Sequence, residues 1–162
     1  MEEELVFISV LFLLFFIYKI FFSKKGIIAF DLGGVFTKGD YFTENVSERE
    51  GMRGLIKELK RDYKVVLLSN QNSEAHRVFE KKFGLPGLFD EQIVSGRIGV
   101  KKPDSRIFQV LLARFNAKPR EVAFVDDDIA NVEAAKKLGI KAIQFVSLPQ
   151  LLTDFKRLGI LV

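Results

Sequence analysis

From Ile27 onward, short apolar runs alternate with stretches whose apolar residues recur every three or four positions. The runs at 27–31, 64–69 (KVVLLS), 92–95 (QIVS), 121–126 (EVAFVD) and 141–146 (KAIQFV) are rich in Val and Ile and almost continuously apolar. That is the pattern of parallel strands covered on both faces. Helices are predicted between them at 48–61, 73–83, 104–116 and 129–138, with a last one near 149–158. Leu55, Ile56 and Leu59 mark one buried helical face, and Ile107, Val110 and Leu111 mark another. Gly84 and Gly139 fall just past helices, where a left-handed C-cap suits glycine, and Pro103 is expected to open the helix that follows it. Alternation of this kind predicts an α/β, Rossmann-like, doubly wound sheet of five parallel strands, with its site at the carboxyl ends of the strands. The stretch VFTKGDYFT, 35–43, departs from the rhythm. Two β-prone runs flank Lys38-Gly39-Asp40 and predict a short β-hairpin flap. No room remains for a larger inserted domain between the first and second strands.

The N-terminus follows a third pattern. Leu5 to Phe22 is 18 residues, apolar all round, with Lys19 as its one charge. As a helix it would be about 27 Å long, near the thickness of a thin hydrocarbon layer. A cleaved signal peptide would want a basic start and a small-residue cleavage site; this chain begins MEEE and offers no such site. The expectation is a retained single-pass transmembrane anchor and short linker over 1–26, followed by one catalytic domain over 27–162. Lys19, Lys24 and Lys25 lie on one side of the apolar stretch and Glu2, Glu3 and Glu4 on the other. The positive-inside rule then predicts a catalytic domain on the cytoplasmic side, with the membrane as a partner through residues 5–22.

Composition narrows the chemistry. With 162 residues the chain suits one domain. It has no cysteine, which excludes disulfides and thiolate metal sites, and its single histidine, His76, argues against a His-rich metal centre or a Ser-His-Asp triad. His76 reads as a surface residue. The formal charge is +4, but the basic residues are interleaved with acidic ones, as in KELKRDYK, and read as solvated helix faces. No nucleic acid is expected as a partner, because clustered Lys and Arg with interleaved aromatics are missing.

The carboxyl ends of the strands carry the candidate chemistry. The first strand ends in Asp31, the second in Ser69 and Asn70, and the fourth in Asp126, Asp127 and Asp128. Lys101-Lys102-Pro103-Asp104 precedes the third predicted helix. Adjacent carboxylates repel unless something positive sits among them. Opposed carboxylates bind a hard cation such as Mg2+, which neutralises both a carboxylate nucleophile and an incoming phosphate, while lysine supplies mobile positive charge. Together these are the parts of phosphoryl transfer to an aspartate. Ser69 and Asn70 alone would be ordinary turn residues.

At these residues the sequence resembles the haloacid dehalogenase-like hydrolases. Four motifs stand in order: AFDLGGVF, VVLLSN, GVKKPDSRIF and AFVDDDIANVEAAKKLGIKAI, covering about residues 27 to 146. The resemblance implies a five-stranded Rossmann-like sheet and Mg2+-dependent phosphatase activity through an aspartyl-phosphate. By position it makes Asp31 the nucleophile and a metal ligand, with the Gly33 carbonyl as another ligand. Ser69 and the Asn70 backbone would hold phosphate. Lys102 would be the motif lysine, with Lys101 a solvated neighbour. Asp127 and Asp126 would be the acidic metal pair, and Asp128 the N-cap of the next helix.

Two departures qualify that resemblance. Gly33 stands where the family's phosphatases usually carry a second Asp, which protonates the leaving oxygen and later activates water. Glycine keeps the carbonyl and loses the acid, so a catalytically weak phosphate- or protein-binding module is an alternative, and a dehalogenase a more distant one. The second departure is the missing cap between the first two motifs. An open site fits a macromolecular phosphorylated substrate, a small one held loosely, or a partner protein that serves as the lid.

Overall fold

A computed structural model of the chain describes residues 7–12, 24–39 and 45–162. Five strands, β1 (Ile27–Phe30), β4 (Lys64–Ser69), β5 (Glu91–Val94), β6 (Val122–Asp126) and β7 (Lys141–Gln144), form one all-parallel sheet in the order β5-β4-β1-β6-β7. The chain starts at the centre, moves to one edge, then crosses back to the other. The switch point therefore lies between β1 and β6, where a doubly wound sheet opens a crevice at its carboxyl end.

The strands are apolar on both faces because both are covered. Ile28, Phe30, Val65, Leu67 and Val125 pack against α2 (Met52–Asp62) and α8 (Leu148–Arg157) through Leu55, Ile56, Leu59, Leu151 and Phe155. Ile27, Ala29, Val66, Leu68 and Phe124 alternate to the other face and meet Ile107, Phe108 and Leu111 of α6 (Ser105–Arg114) and Ala135 of α7 (Ile129–Lys137). Phe30 and Phe155 meet edge to face at 6.3 Å, as do Phe108 and Phe124 at 5.2 Å. Burying each such ring contributes about 1.5–3 kcal/mol, and the edge-to-face contact adds about 0.5–1.5 kcal/mol. This packing fixes the strand ends that carry the site.

Helix boundaries follow their caps. α3 (Ser73–Phe83) ends at Gly84, with φ 60°, and α7 is followed by Gly139, with φ 84°. Asp128 caps α7 by accepting from the Ala130 N–H. Pro103 does not open α6: Asp104 is its N-cap, accepting from the Arg106 N–H, so the proline lies one residue outside. The helix expected from residue 48 begins at Met52, because Gly51 takes a left-handed φ of 80° and β3 (Ser47–Glu48) occupies the start. Three one-turn helical pieces, α4 (Leu85–Leu88), α5 (Ser95–Ile98) and the 3₁₀ turn at Pro119–Glu121, carried no periodicity long enough to read.

The flap is real and its return strand lies further on than predicted. β2 (Thr37–Lys38) pairs antiparallel with β3, Thr37 opposite Glu48 and Lys38 opposite Ser47. The predicted return run at 41–43 lies outside the described residues. Among the described residues, only this hairpin and α2 stand between β1 and β4.

The N-terminal expectation is corrected. Residues 7–12 are helical (α1), and the remainder of the 5–22 stretch lies outside the described residues. Among the described residues no helix is long and apolar enough to cross a membrane. The single-pass transmembrane anchor, and with it the cytoplasmic placement of the catalytic domain, is therefore not upheld.

Candidate active site

Both strands at the switch point end in a carboxylate. Asp31 follows β1 directly, and its N–H donates to the Val125 carbonyl of β6 at 2.9 Å. Asp126 closes β6 and is fully buried. Between them lies the Lys102 ammonium, donating to Asp31 Oδ1 at 2.7 Å and to Asp126 Oδ2 at 2.6 Å. The lysine side chain is 1 % exposed and its Nζ sits 5.4 Å from the centre of the Phe124 ring. A buried ammonium needs compensation on this scale, because desolvation alone costs several kcal/mol.

Lys102 is aimed from its backbone. Asn70, just past β4, donates through Nδ2 to the Lys102 carbonyl and accepts at Oδ1 from the Lys102 N–H, both at 2.8 Å. The second and third sequence motifs are thus joined through one amide side chain. Ser69 is buried at the end of β4, while Lys101 is exposed, as expected for a solvated neighbour.

Asp126 is saturated by protein donors. Besides Lys102 it accepts from the Asp128 N–H at 2.9 Å and from Asn131 Nδ2 at 3.1 Å on each oxygen. Asp127 is exposed by contrast. One carboxylate oxygen from each of Asp31, Asp126 and Asp127 lies within 4.8 Å of the others. Burial is the main cause that raises the Asp31 carboxyl from 3.8 to about 6; Lys102 opposes the shift and Asp126 adds to it. Asp127 is also raised, by burial first and then by Asp126. Carboxyls pushed upward side by side are short of positive charge. An all-oxygen donor set of this kind suits a hard divalent cation.

The loop after β1 completes the site. Asp31, Gly33, Ser69, Lys102, Asp127 and Asn131 are among the residues lining a cavity of about 270 Å³ at the carboxyl end of the sheet. Gly33 is not among the positive-φ glycines; Gly34 is, with φ 73°. A Cβ on Gly34 would lie 2.0 Å from Asp127 Oδ2. So the loop after β1 rests against the Asp127 carboxylate at Gly34, and only glycine permits that approach.

All seven residues expected at the site, Asp31, Gly33, Ser69, Asn70, Lys102, Asp126 and Asp127, line this one cavity. Three contributors were missed. Asn131 is 6 % exposed, and its Oδ1 is buried without a hydrogen-bond partner among the described residues. It shares the buried face of α7 with Val132 and Ala135, and a polar residue on such a face was the available signal. The second is the Asn70 side chain, for which only the backbone was considered. The third is His76, which is buried rather than at the surface. Its Nδ1 lies 2.8 Å from Gln71 Oε1 and its Nε2 2.7 Å from Gln92 Oε1. Burial lowers its pKa below 6.5, and a neutral ring donates from one nitrogen and accepts at the other, so one of the two glutamines turns its amide N–H inward. His76 thereby braces Gln71, which lines the cavity.

A family model described as haloacid dehalogenase-like hydrolase matches residues 38–139. A glyceraldehyde 3-phosphate phosphatase from Pyrococcus furiosus is 30 % identical over 110 residues, 67 % of this chain and 45 % of its own length. A phosphoserine phosphatase from Thermus thermophilus is 32 % identical over 85 residues, 52 % of this chain and 34 % of its own length. The chain thus spans less than half the length of these two relatives. Among solved structures, a haloacid dehalogenase family enzyme from Bacteroides thetaiotaomicron, in complex with magnesium and inorganic phosphate, superposes with a TM-score of 0.68. It is 18 % identical and covers 80 % of this chain and 99 % of that one, a likeness of fold.

Proposed function

The chain belongs to the haloacid dehalogenase-like hydrolase family, and from that premise we propose that it is a Mg2+-dependent phosphatase acting through an aspartyl-phosphate on Asp31. The observation that carries this reading is the buried Lys102 ammonium bonded to both Asp31 and Asp126 beside a third carboxylate, Asp127. Asp31 and Asp127, with the Gly33 carbonyl, would hold Mg2+; Asp126, whose oxygens already take protein donors, stands behind them. The ion would supply the positive charge that lets a phosphate dianion approach a carboxylate.

An Asp31 oxygen attacks phosphorus, and the bond to the ester oxygen breaks, its electron pair leaving with that oxygen. Water then attacks phosphorus, the Asp31 carboxylate departs, and inorganic phosphate is released. Lys102 holds Asp31 Oδ1 throughout, which fixes the carboxylate and offsets charge on the transferring group. The Ser69 hydroxyl and the Asn70 backbone N–H take phosphate oxygens, since the Asn70 amide is committed to Lys102.

What this cavity lacks, among the described residues, is an uncommitted acid. Asp128 caps α7, Asp126 accepts four hydrogen bonds, and Gly33 offers none. The favoured substrates are therefore phosphates whose leaving oxygen needs little protonation, such as aryl or acyl phosphates. With no element larger than a hairpin between β1 and β4 among the described residues, a macromolecular phosphoester, or a partner protein serving as lid, fits better than a sequestered metabolite.

The test is phosphate release from para-nitrophenyl phosphate with and without Mg2+, for the wild type and Asp31→Asn. Release that requires both Mg2+ and Asp31 is the expected result. No such release overturns the phosphatase and favours the second reading, a phosphate-binding module of low turnover, for which Gly33 is the supporting observation.

A further inference from the structure

Arg49 belongs to none of the four motifs, yet its half-buried side chain reaches the loop that leaves β1. Nη2 donates to the Gly34 carbonyl at 2.8 Å and Nε to the Val35 carbonyl at 3.2 Å. The guanidinium lies over the Phe145 ring, 5.0 Å from its centre. The Phe145 N–H donates in turn to the Asp126 carbonyl at 2.9 Å. One side chain therefore ties the loop after β1 to the chain that flanks the end of β6. Those two loops carry the two halves of the cation site, Asp31 and Gly33 on one and Asp127 on the other. The tie also lands on Gly34, where the two loops touch.

We propose that Arg49 is a positioning residue that sets the gap between these loops and thereby the affinity for Mg2+. This rests on the Mg2+ reading above. The physical case has three parts. Mg2+ demands near-octahedral oxygens at about 2.0–2.1 Å, so a few tenths of an ångström between the loops weaken it. Hydrogen bonds from a charged donor to carbonyls contribute more than neutral ones. A guanidinium can donate to two carbonyls in its plane while stacking on Phe145, and an ammonium cannot do both. Arg49 also follows β3 directly, with its own N–H bonded to the Phe36 carbonyl at 2.8 Å, so the base of the flap and the cation site move together.

The experiment is calorimetric titration of Mg2+ into the purified full chain, as wild type, Arg49→Met, Arg49→Lys and Phe145→Leu, with thermal melts in the absence of Mg2+. The expected result is an Mg2+ Kd raised about tenfold or more in Arg49→Met, which equals about 1.4 kcal/mol. Arg49→Lys and Phe145→Leu should show smaller rises in the same direction. A purely structural arginine would lower the melting temperature and leave Kd unchanged. A Kd within twofold of wild type in folded Arg49→Met overturns the proposal; if that variant does not fold, the same criterion applied to Arg49→Lys and Phe145→Leu decides. A wild type that takes up no Mg2+ overturns the Mg2+ reading itself, a distinct result.

Discussion

Replacing Lys102 with methionine isolates the charge at the centre of the site. Methionine keeps most of the stem volume and still packs on Phe124, so the perturbation is close to removal of one ammonium. Each contact, 2.7 Å to Asp31 and 2.6 Å to Asp126, is worth about 6 kcal/mol of attraction at an effective dielectric constant of 20. Against this stand several kcal/mol for desolvating each ion, and breaking a buried pair by deleting one partner typically leaves a net loss of about 3–5 kcal/mol. The loss should depend on pH. Asp31 is already raised to about 6 with the lysine present; without it the carboxyl rises further, and protonation relieves the repulsion with Asp126.

Urea unfolding in EDTA should therefore show Lys102→Met destabilised by about 3–5 kcal/mol at pH 8. The deficit should shrink at up to about 1.4 kcal/mol per pH unit toward pH 5, as one extra proton binds the native state. Mg2+ should restore more stability to the variant than to the wild type, because a cation replaces the lost charge. Equal stability at pH 8 refutes the charge argument. So does a loss of the same size at pH 5 and pH 8, which would assign the effect to packing.

Gly34→Ala should cost about 1–2 kcal/mol for the left-handed backbone and weaken Mg2+ binding far more, since the new methyl meets Asp127 Oδ2; calorimetry and urea melts on one preparation separate the two. Asn70→Ala removes both hydrogen bonds to the Lys102 backbone and should cost about 1–3 kcal/mol, with phosphate release falling alongside. Gly33→Asp should raise the rate on alkyl phosphates by about 10²–10⁴ and the rate on aryl phosphates much less, as steady-state kinetics on the two ester types would reveal. Stability against pH carries opposed contributions in metal-free protein, with Asp31 and His76 on opposite sides. Asp31, raised from 3.8 to about 6, contributes fully below 3.8 and loses that contribution as pH rises through about 6. His76, lowered by burial, contributes above 6.5 and loses it as pH falls through its lowered value. Asp31→Asn should thus melt higher than wild type at pH 7.5 in EDTA, and a lower melting temperature would contradict the assignment.

The strands and long helices were legible because their signals are local. A continuous apolar run such as KVVLLS needs two covered faces wherever it sits, and the parallel sheet supplies them. That the candidate residues line one cavity follows from the topology: Asp31, Ser69 and Asp126 stand at the ends of neighbouring parallel strands, and the sheet order brings Asp31 and Asp126 together. What could not be read has no periodic signature. His76 shares α3 with one other buried residue, Phe83, and the glutamines reaching it from two other segments, with Glu80 at 3.7 Å, make its burial tolerable. The Asn70 side chain matters through hydrogen bonds to Lys102, brought near by folding, while Asn131 was marked only by a polar side chain on the buried face of α7.

The glycine pair shows where the limit falls. Sequence reasoning concentrates on Gly33, because an acid is missing there, and Gly33 is not among the positive-φ glycines. Gly34 looks interchangeable with it in the sequence. Yet its left-handed φ, its contact with Asp127 and its carbonyl bonded to Arg49 make it the position where the loop cannot change. The two glycines therefore answer different questions. On the proposed phosphatase reading, Gly33 would set which leaving groups can depart, and substitution there should alter chemistry while the site stays assembled. On the same reading, Gly34 would set whether the two halves of the proposed cation site meet, and substitution there should remove cation binding before any leaving group matters.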